Sequence, residues 1–133
     1  MTKPKVVLVV DDRSDLRSLI ADMLRGAGYS VLEAAGGPEG LSIANDRERH
    51  LDLVITDVVM PRMSGTEFVN RIRKMHPGMR VLYISGYGVN ALDGHGSSTS
   101  RCEVLRKPFG PEDLIQAVSR ILFQPEIKPP VAC

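Results

Sequence analysis

Hydrophobic and polar positions along the chain follow two alternating rhythms. Val6 to Val10 is an unbroken apolar run, mostly β-branched, as expected of a strand buried on both faces. Leu16, Leu19, Ile20, Met23, Leu24 and Ala27 then fall on one helical face, and Gly28 can end that helix. Residues 29–34 read as a weaker strand. Pro38 and Glu39 suit the start of a second helix with a thin apolar face of Leu41, Ile43 and Ala44. Residues 51–56 (LDLVIT) form the next buried strand. Ser64 and Glu67 stand at capping-box spacing ahead of Phe68, Val69, Ile72 and Met75. Pro77-Gly78 breaks the chain, residues 80–85 (RVLYIS) read as a fourth strand, and residues 103–105 as a brief fifth. Pro111, followed by Glu112 and Asp113, opens a last helix with a clean stripe of Leu114, Ile115, Val118, Ile121 and Leu122.

Strands that alternate with helices predict right-handed βαβ units, hence an α/β domain with a parallel sheet covered on both sides. One segment departs from the rhythm. Residues 86–100 (GYGVNALDGHGSSTS) occupy the place of the fourth helix, yet carry four glycines and an SSTS run, which weaken a helix interior. A short or mobile fourth helix is expected there. Residues 124–133 (QPEIKPPVAC) are Pro-rich and lie beyond the last periodic position, so residues 1–123 read as one domain and 124–133 as a C-terminal tail.

Composition narrows the function. With 133 residues, 43% hydrophobic and 25% charged, the chain suits a single globular domain. Lys plus Arg is 17 against 16 acids, a net charge of +1, which argues against a general nucleic-acid binder. No apolar run approaches membrane-spanning length. Cys102 and Cys133 lack metal-site spacing, and with no signal peptide the expected setting is a reducing cytoplasm. His50, His76 and His95 are scattered and suggest no metal. Arg71, Arg73, Lys74, His76 and Arg80 form a basic cluster without aromatic or Gly-rich partners, which reads as a solvated helix face. Met60, Met63 and Met75 read as core or loop fillers.

The chemistry-bearing residues fall at strand ends. The first strand runs into Asp11-Asp12, the third into Asp57, the fourth ends in Ser85, and Lys107 follows the fifth. In open parallel sheets, ligands gather beyond the carboxyl ends of the strands. Adjacent strands lie ~4.8 Å apart, so neighbouring first and third strands would bring three carboxylates into one small volume. Like charges that close strain the fold unless a cation joins them. A hard divalent ion with oxygen ligands relieves the strain, and Mg2+ suits a site of few carboxylates and several waters.

These residues carry a resemblance. Asp11-Asp12, Asp57-Val58-Val59-Met60-Pro61, Ser85-Gly86 and Arg106-Lys107-Pro108-Phe109 stand in the order found in receiver domains of bacterial two-component response regulators, and the match spans about Lys5 to Leu122. Each motif alone is weak: the acid pair could cap a helix, Ser85 could serve a turn, and Lys107 could be a solvated cation. The ordered set is specific. The resemblance implies a flavodoxin-like fold with sheet order 2-1-3-4-5. It also implies that Asp57 is the phosphoacceptor for a phosphohistidine on a sensor histidine kinase or histidine phosphotransferase. Asp12, Asp57 and the Val59 backbone carbonyl would ligate Mg2+, with Asp11 acting through water. Ser85 and Lys107 would contact the phosphoryl group, and the Lys107-Pro108 bond would be cis. No nucleic acid, no membrane and no further cofactor is implied, and the chain would be a monomer or weak dimer.

Two other functions compete. A Mg2+-dependent aspartyl-phosphate hydrolase would share the nucleophile and lysine, but such enzymes typically want an acid where Val59 stands. A pseudo-receiver that takes no phosphate would not need the full set of site residues. The chain also departs from many receivers at Val104, where an aromatic ring usually couples phosphorylation to the output face. A β-branched aliphatic cannot swing as a ring does. Signalling through ordering of residues 86–100, or onward phosphotransfer, is the expected substitute. Val59 and Tyr87 stand where receivers govern water access and suggest a shielded phosphoryl group. The stretch from Leu82 to Tyr87, with later His95-Gly96, is similar to receivers of hybrid histidine kinases, and a free-standing regulator is equally allowed.

Overall fold

A computed structural model describes residues 3–46, 48–86 and 102–123 of the chain. Its elements are β1 (Val6–Val10), α1 (Ser14–Gly26), β2 (Ser30–Ala34), α2 (Gly37–Ala44), β3 (Leu53–Asp57), α3 (Gly65–Met75), β4 (Arg80–Ser85), β5 (Cys102–Arg106) and α4 (Pro111–Phe123). All strand pairs are parallel, and the sheet order is β2-β1-β3-β4-β5, the flavodoxin-like order expected. Of residues 86–100, where a short or mobile helix is expected, 87–100 lie outside the described residues, as do the expected tail on residues 124–133, Tyr87 and His95.

The unbroken apolar runs are explained by two cores. Alternate strand side chains point to opposite faces. Leu8, Val10, Val54, Val81 and Tyr83 pack on one side with Phe68, Val69 and Ile72 of α3. Val7, Val9, Leu53, Ile55, Leu82 and Ile84 pack on the other with Ile20 and Leu24 of α1 and Leu114 and Val118 of α4. A strand covered on both faces has no solvent side to alternate with, hence its continuous hydrophobicity. Among the described residues no helix is long and apolar enough to cross a membrane.

Several boundaries differ from expectation for physical reasons. β3 begins at Leu53; Asp52 just before it meets Val6 of β1 twice, its N–H donating to the Val6 carbonyl at 2.9 Å and its Oδ2 accepting the Val6 N–H at 2.8 Å. β3 then continues through Asp57, so this carboxylate belongs to the strand itself. β2 begins one residue after Tyr29, and β5 gains a residue at each end. The capping box of α3 forms by half. Ser64 Oγ accepts the Glu67 N–H at 3.1 Å, whereas the Glu67 carboxylate takes Arg71 Nη2 at 2.8 Å. Gly28 ends α1 with φ +98°, a conformation that a side chain resists. Met60 and Met63 are buried as expected, but Met75 is 37% exposed because it ends α3 at the rim of the core.

The basic cluster is not a simple solvated face. Arg73 donates to the Met79 carbonyl at 3.1 Å, and His76 Nε2 donates to the Ala44 carbonyl at 2.9 Å. Arg80 donates to the carbonyls of Ile121 at 2.9 Å and Leu122 at 2.8 Å. Ala44, Ile121 and Leu122 lie in the last turns of α2 and α4, where carbonyls lack intrahelical donors. Three of these five side chains thus serve backbone carbonyls, while Arg71 pairs with Glu67.

Candidate functional site

The sheet register gathers the acids. Val10 pairs with Thr56, so Asp11 and Asp57 stand one step further at the same edge of adjacent strands. Asp57 pairs with Ile84, which puts Ser85 just past it on the next strand, and Ser85 pairs with Arg106, which puts Lys107 one step further again. Every site residue named from the sequence therefore reaches the carboxyl edge of the sheet.

Carboxylate oxygens of Asp11, Asp12 and Asp57 all lie within 4.8 Å of one another. Asp11 is 1% exposed, and Asp57 is buried with it, whereas Asp12 faces outward. Lys107 Nζ stands 3.6 Å from Asp57 Oδ2. Ser85 is buried at the end of β4, and its backbone carbonyl accepts the Lys107 N–H at 2.8 Å. The Lys107-Pro108 peptide is cis, as expected. Val59 is 71% exposed, and its N–H donates to Asp57 Oδ1 at 3.2 Å.

Asp11 carries the electrostatic cost of the arrangement. Its Oδ1 accepts the Arg13 N–H at 2.9 Å, while its buried Oδ2 has no hydrogen-bond partner. Burial raises its carboxyl above the ordinary value of 3.8; the Arg13 N–H works against this, Asp57 adds to it, Lys107 opposes it and Asp12 adds slightly more. An unpartnered buried oxygen beside two further carboxylates is a donor set for a hard cation. All ligand atoms are oxygens, no thiolate or imidazole joins them, and one side stays open to water, which fits Mg2+.

Two residues of this edge carried no signal that the sequence pattern picked out. Gly65 opens α3 directly against β3. Its N–H donates to the Val58 carbonyl at 2.8 Å, and a Cβ there would meet the Asp57 carbonyl oxygen at 2.0 Å. A glycine at the first helical position, where it is a poor helix former, was the available hint. Arg17, which the apolar stripe of α1 leaves out, donates from Nη1 to the Asp11 carbonyl at 2.8 Å. Val104, at the position where an aromatic ring was missed, is half-buried against the α2–α3 core and pairs in register with Tyr83 on β4, which is 2% exposed.

Comparison with known proteins agrees with this edge. Residues 7–119 match the model of the response regulator receiver domain. The chain is 34% identical over 116 residues to the sensor kinase CckA of Brucella abortus, covering 87% of this chain but 12% of that kinase. It is 30% identical to the response regulator receiver protein CpdR of the same organism, covering 90% of this chain and 98% of CpdR. Among solved structures, a response regulator receiver protein from Sinorhizobium medicae superposes with a TM-score of 0.81 at 26% identity, over 90% of this chain and 95% of that one. The receiver domain of the hybrid histidine kinase CckA superposes with a TM-score of 0.73 at 32% identity, over 88% and 98%. With its sheet order, its rim of three carboxylates and a lysine, and a family match across nearly its whole length, the chain belongs to the response regulator receiver domains of two-component systems.

Proposed function

We propose that Asp57 accepts a phosphoryl group from a phosphohistidine on a sensor histidine kinase or histidine phosphotransferase, in a Mg2+-dependent reaction. The chain then signals by protein contact or passes the group onward. A carboxylate oxygen of Asp57 forms the new bond to phosphorus as the P–N bond breaks, and the electron pair of that bond stays on the donor imidazole. Both the incoming group and its acceptor are anionic, so the reaction needs positioning and charge neutralisation more than covalent help.

Each residue has a part in that reading. Lys107 sets an ammonium against Asp57 and balances charge on the incoming oxygens. Ser85 donates its hydroxyl to a phosphoryl oxygen. Asp12, Asp57 and the Val59 carbonyl would hold Mg2+, with Asp11 acting through water; bound there, the ion would supply positive charge that offsets the anionic acceptor and phosphoryl group. The exposed Val59 side chain beside Asp57 limits water access to the product. The relatives support either setting, since the chain spans 98% of CpdR and 12% of the CckA kinase.

The observation that carries the proposal is the Lys107 ammonium 3.6 Å from Asp57 Oδ2 at an edge that also holds Asp11 and Asp12. The intact mass after incubation with Mg2+ and acetyl phosphate tests it. One added phosphoryl group on wild type and none on Asp57→Asn is expected. Equal uptake by both proteins would place the acceptor elsewhere.

A further inference from the structure

Asp12 is fixed through the two peptide bonds that flank it. The Asp11–Asp12 peptide is held by its carbonyl, which accepts Arg17 Nη1 at 2.8 Å. The Asp12–Arg13 peptide is held by its N–H, which donates to Asp11 Oδ1 at 2.9 Å. Upstream, the Asp11 N–H donates to the Ala34 carbonyl at 3.1 Å. The outward-facing Asp12 side chain has no hydrogen bond of its own among those found for the described residues, so its direction is set by this backbone.

Arg17 is also tied to the edge strand. Its Nε donates to Glu33 Oε1 on β2 at 3.3 Å. Glu33 in turn takes Arg25 Nη1 at 3.4 Å, and Arg25 Nη2 donates to the Val31 carbonyl at 3.2 Å. The Arg17 and Glu33 side chains are 18% and 29% exposed, so the pair is largely sheltered from solvent. A planar guanidinium can serve the carbonyl and the carboxylate at once, which an ammonium cannot do in the same geometry. The second contact matters for charge. A bare guanidinium beside a cation site would repel the cation, and Glu33, although shared with Arg25, offsets that charge while leaving the hydrogen bond in place.

We propose that Arg17 is a positioning residue for the cation site: it orients the Asp11–Asp12 peptide so that the Asp12 carboxylate is preset for a divalent ion, and Glu33 neutralises the clamp. This rests on the Mg2+-dependent reading above. Groups that orient a ligand from behind typically change metal affinity by about 10- to 100-fold when removed. A residue that merely tied α1 to β2 would change stability and leave affinity alone.

Calorimetric titration of Mg2+ into wild type, Arg17→Met, Arg17→Lys and Glu33→Gln, each with a urea melt, separates the two. Arg17→Met keeps the apolar stem and removes the clamp; its Mg2+ dissociation constant is expected to rise about tenfold. Arg17→Lys restores a donor to the Asp11 carbonyl and is expected to recover part of that loss. Glu33→Gln leaves the guanidinium charge uncancelled and is expected to weaken Mg2+ severalfold at low ionic strength, an effect that fades with added salt. A folded Arg17→Met protein that binds Mg2+ within roughly twofold of wild type, with only its urea midpoint lowered, overturns the proposal. If Arg17→Met does not fold, unchanged Mg2+ affinity of Glu33→Gln at low salt overturns it. Wild type that neither binds Mg2+ nor takes up a phosphoryl group overturns the proposed function itself, whereas an indifferent Arg17→Met beside a competent wild type overturns this inference alone.

Discussion

Gly65 backs directly onto Asp57: a methyl group on its Cα would lie 2.0 Å from the Asp57 carbonyl oxygen. No real contact is that short, and the obstructing atom is backbone, so β3 or α3 must shift to admit a side chain. Gly65→Ala is expected to destabilise the fold by about 1–3 kcal/mol, the usual cost of overpacking. Because the displaced carbonyl belongs to the proposed acceptor, phosphoryl uptake should fall along with the urea midpoint. Full uptake in a folded Gly65→Ala protein would show that the edge tolerates the shift.

Asp11 predicts an inverse dependence of stability on pH and on metal. Its carboxyl is raised in the folded state, chiefly by burial, so the folded chain holds that proton more tightly than the unfolded one. The contribution is therefore favourable at acid pH. It is lost as pH rises from the ordinary value of 3.8 through the raised folded value. Without divalent cation, Asp11→Asn should be the more stable protein at neutral pH, by on the order of 1 kcal/mol. Saturating Mg2+ should raise the melting temperature of wild type more than that of the variant. Urea melts at neutral and acid pH, with Mg2+ or a chelator, measure both effects.

Lys107 separates metal binding from transfer. Its ammonium touches Asp57 and is absent from the carboxylate set that could hold the ion. Lys107→Met should retain Mg2+ binding but slow phosphoryl uptake from acetyl phosphate by roughly 10²-fold, the scale of losing one preorganised donor to a developing charge. A stopped-flow or quench time course of intact mass reads the rate. Uptake at the wild-type rate would remove Lys107 from the reaction.

Arg80 offers a control far from the acids. It spans from β4 to the final carbonyls of α4. Arg80→Met should cost about 1.5–3 kcal/mol through two lost charge-assisted hydrogen bonds and leave phosphoryl uptake per folded molecule unchanged. A urea melt beside the same mass assay checks both halves.

The layered fold and the acid edge were legible because they are written as local pattern. Val6 to Val10 and the later apolar runs need only their own periodicity to be read as doubly covered strands, whereas the sheet order was implied by the family resemblance and is the one observed. Asp11, Asp12, Asp57, Ser85 and Lys107 announced themselves by following those runs. What escaped was long-range and chemically ordinary. Arg17 and Glu33 are sixteen positions apart and look like two surface charges until α1 is laid beside β2. Asp52 looked like part of a strand because nothing local says that its carboxylate will cap Val6. Arg73, His76 and Arg80 looked solvated because the carbonyls they serve become neighbours only after the helices dock.

The hydrogen bond from the Lys107 N–H to the Ser85 carbonyl has a mechanical consequence. It zips β5 to β4 up to the rim, so the two residues proposed to grip a phosphoryl oxygen hang from one shared peptide contact. Displacing the serine backbone tugs the lysine with it. An anion that pulls on either one would therefore move the ends of β4 and β5 together.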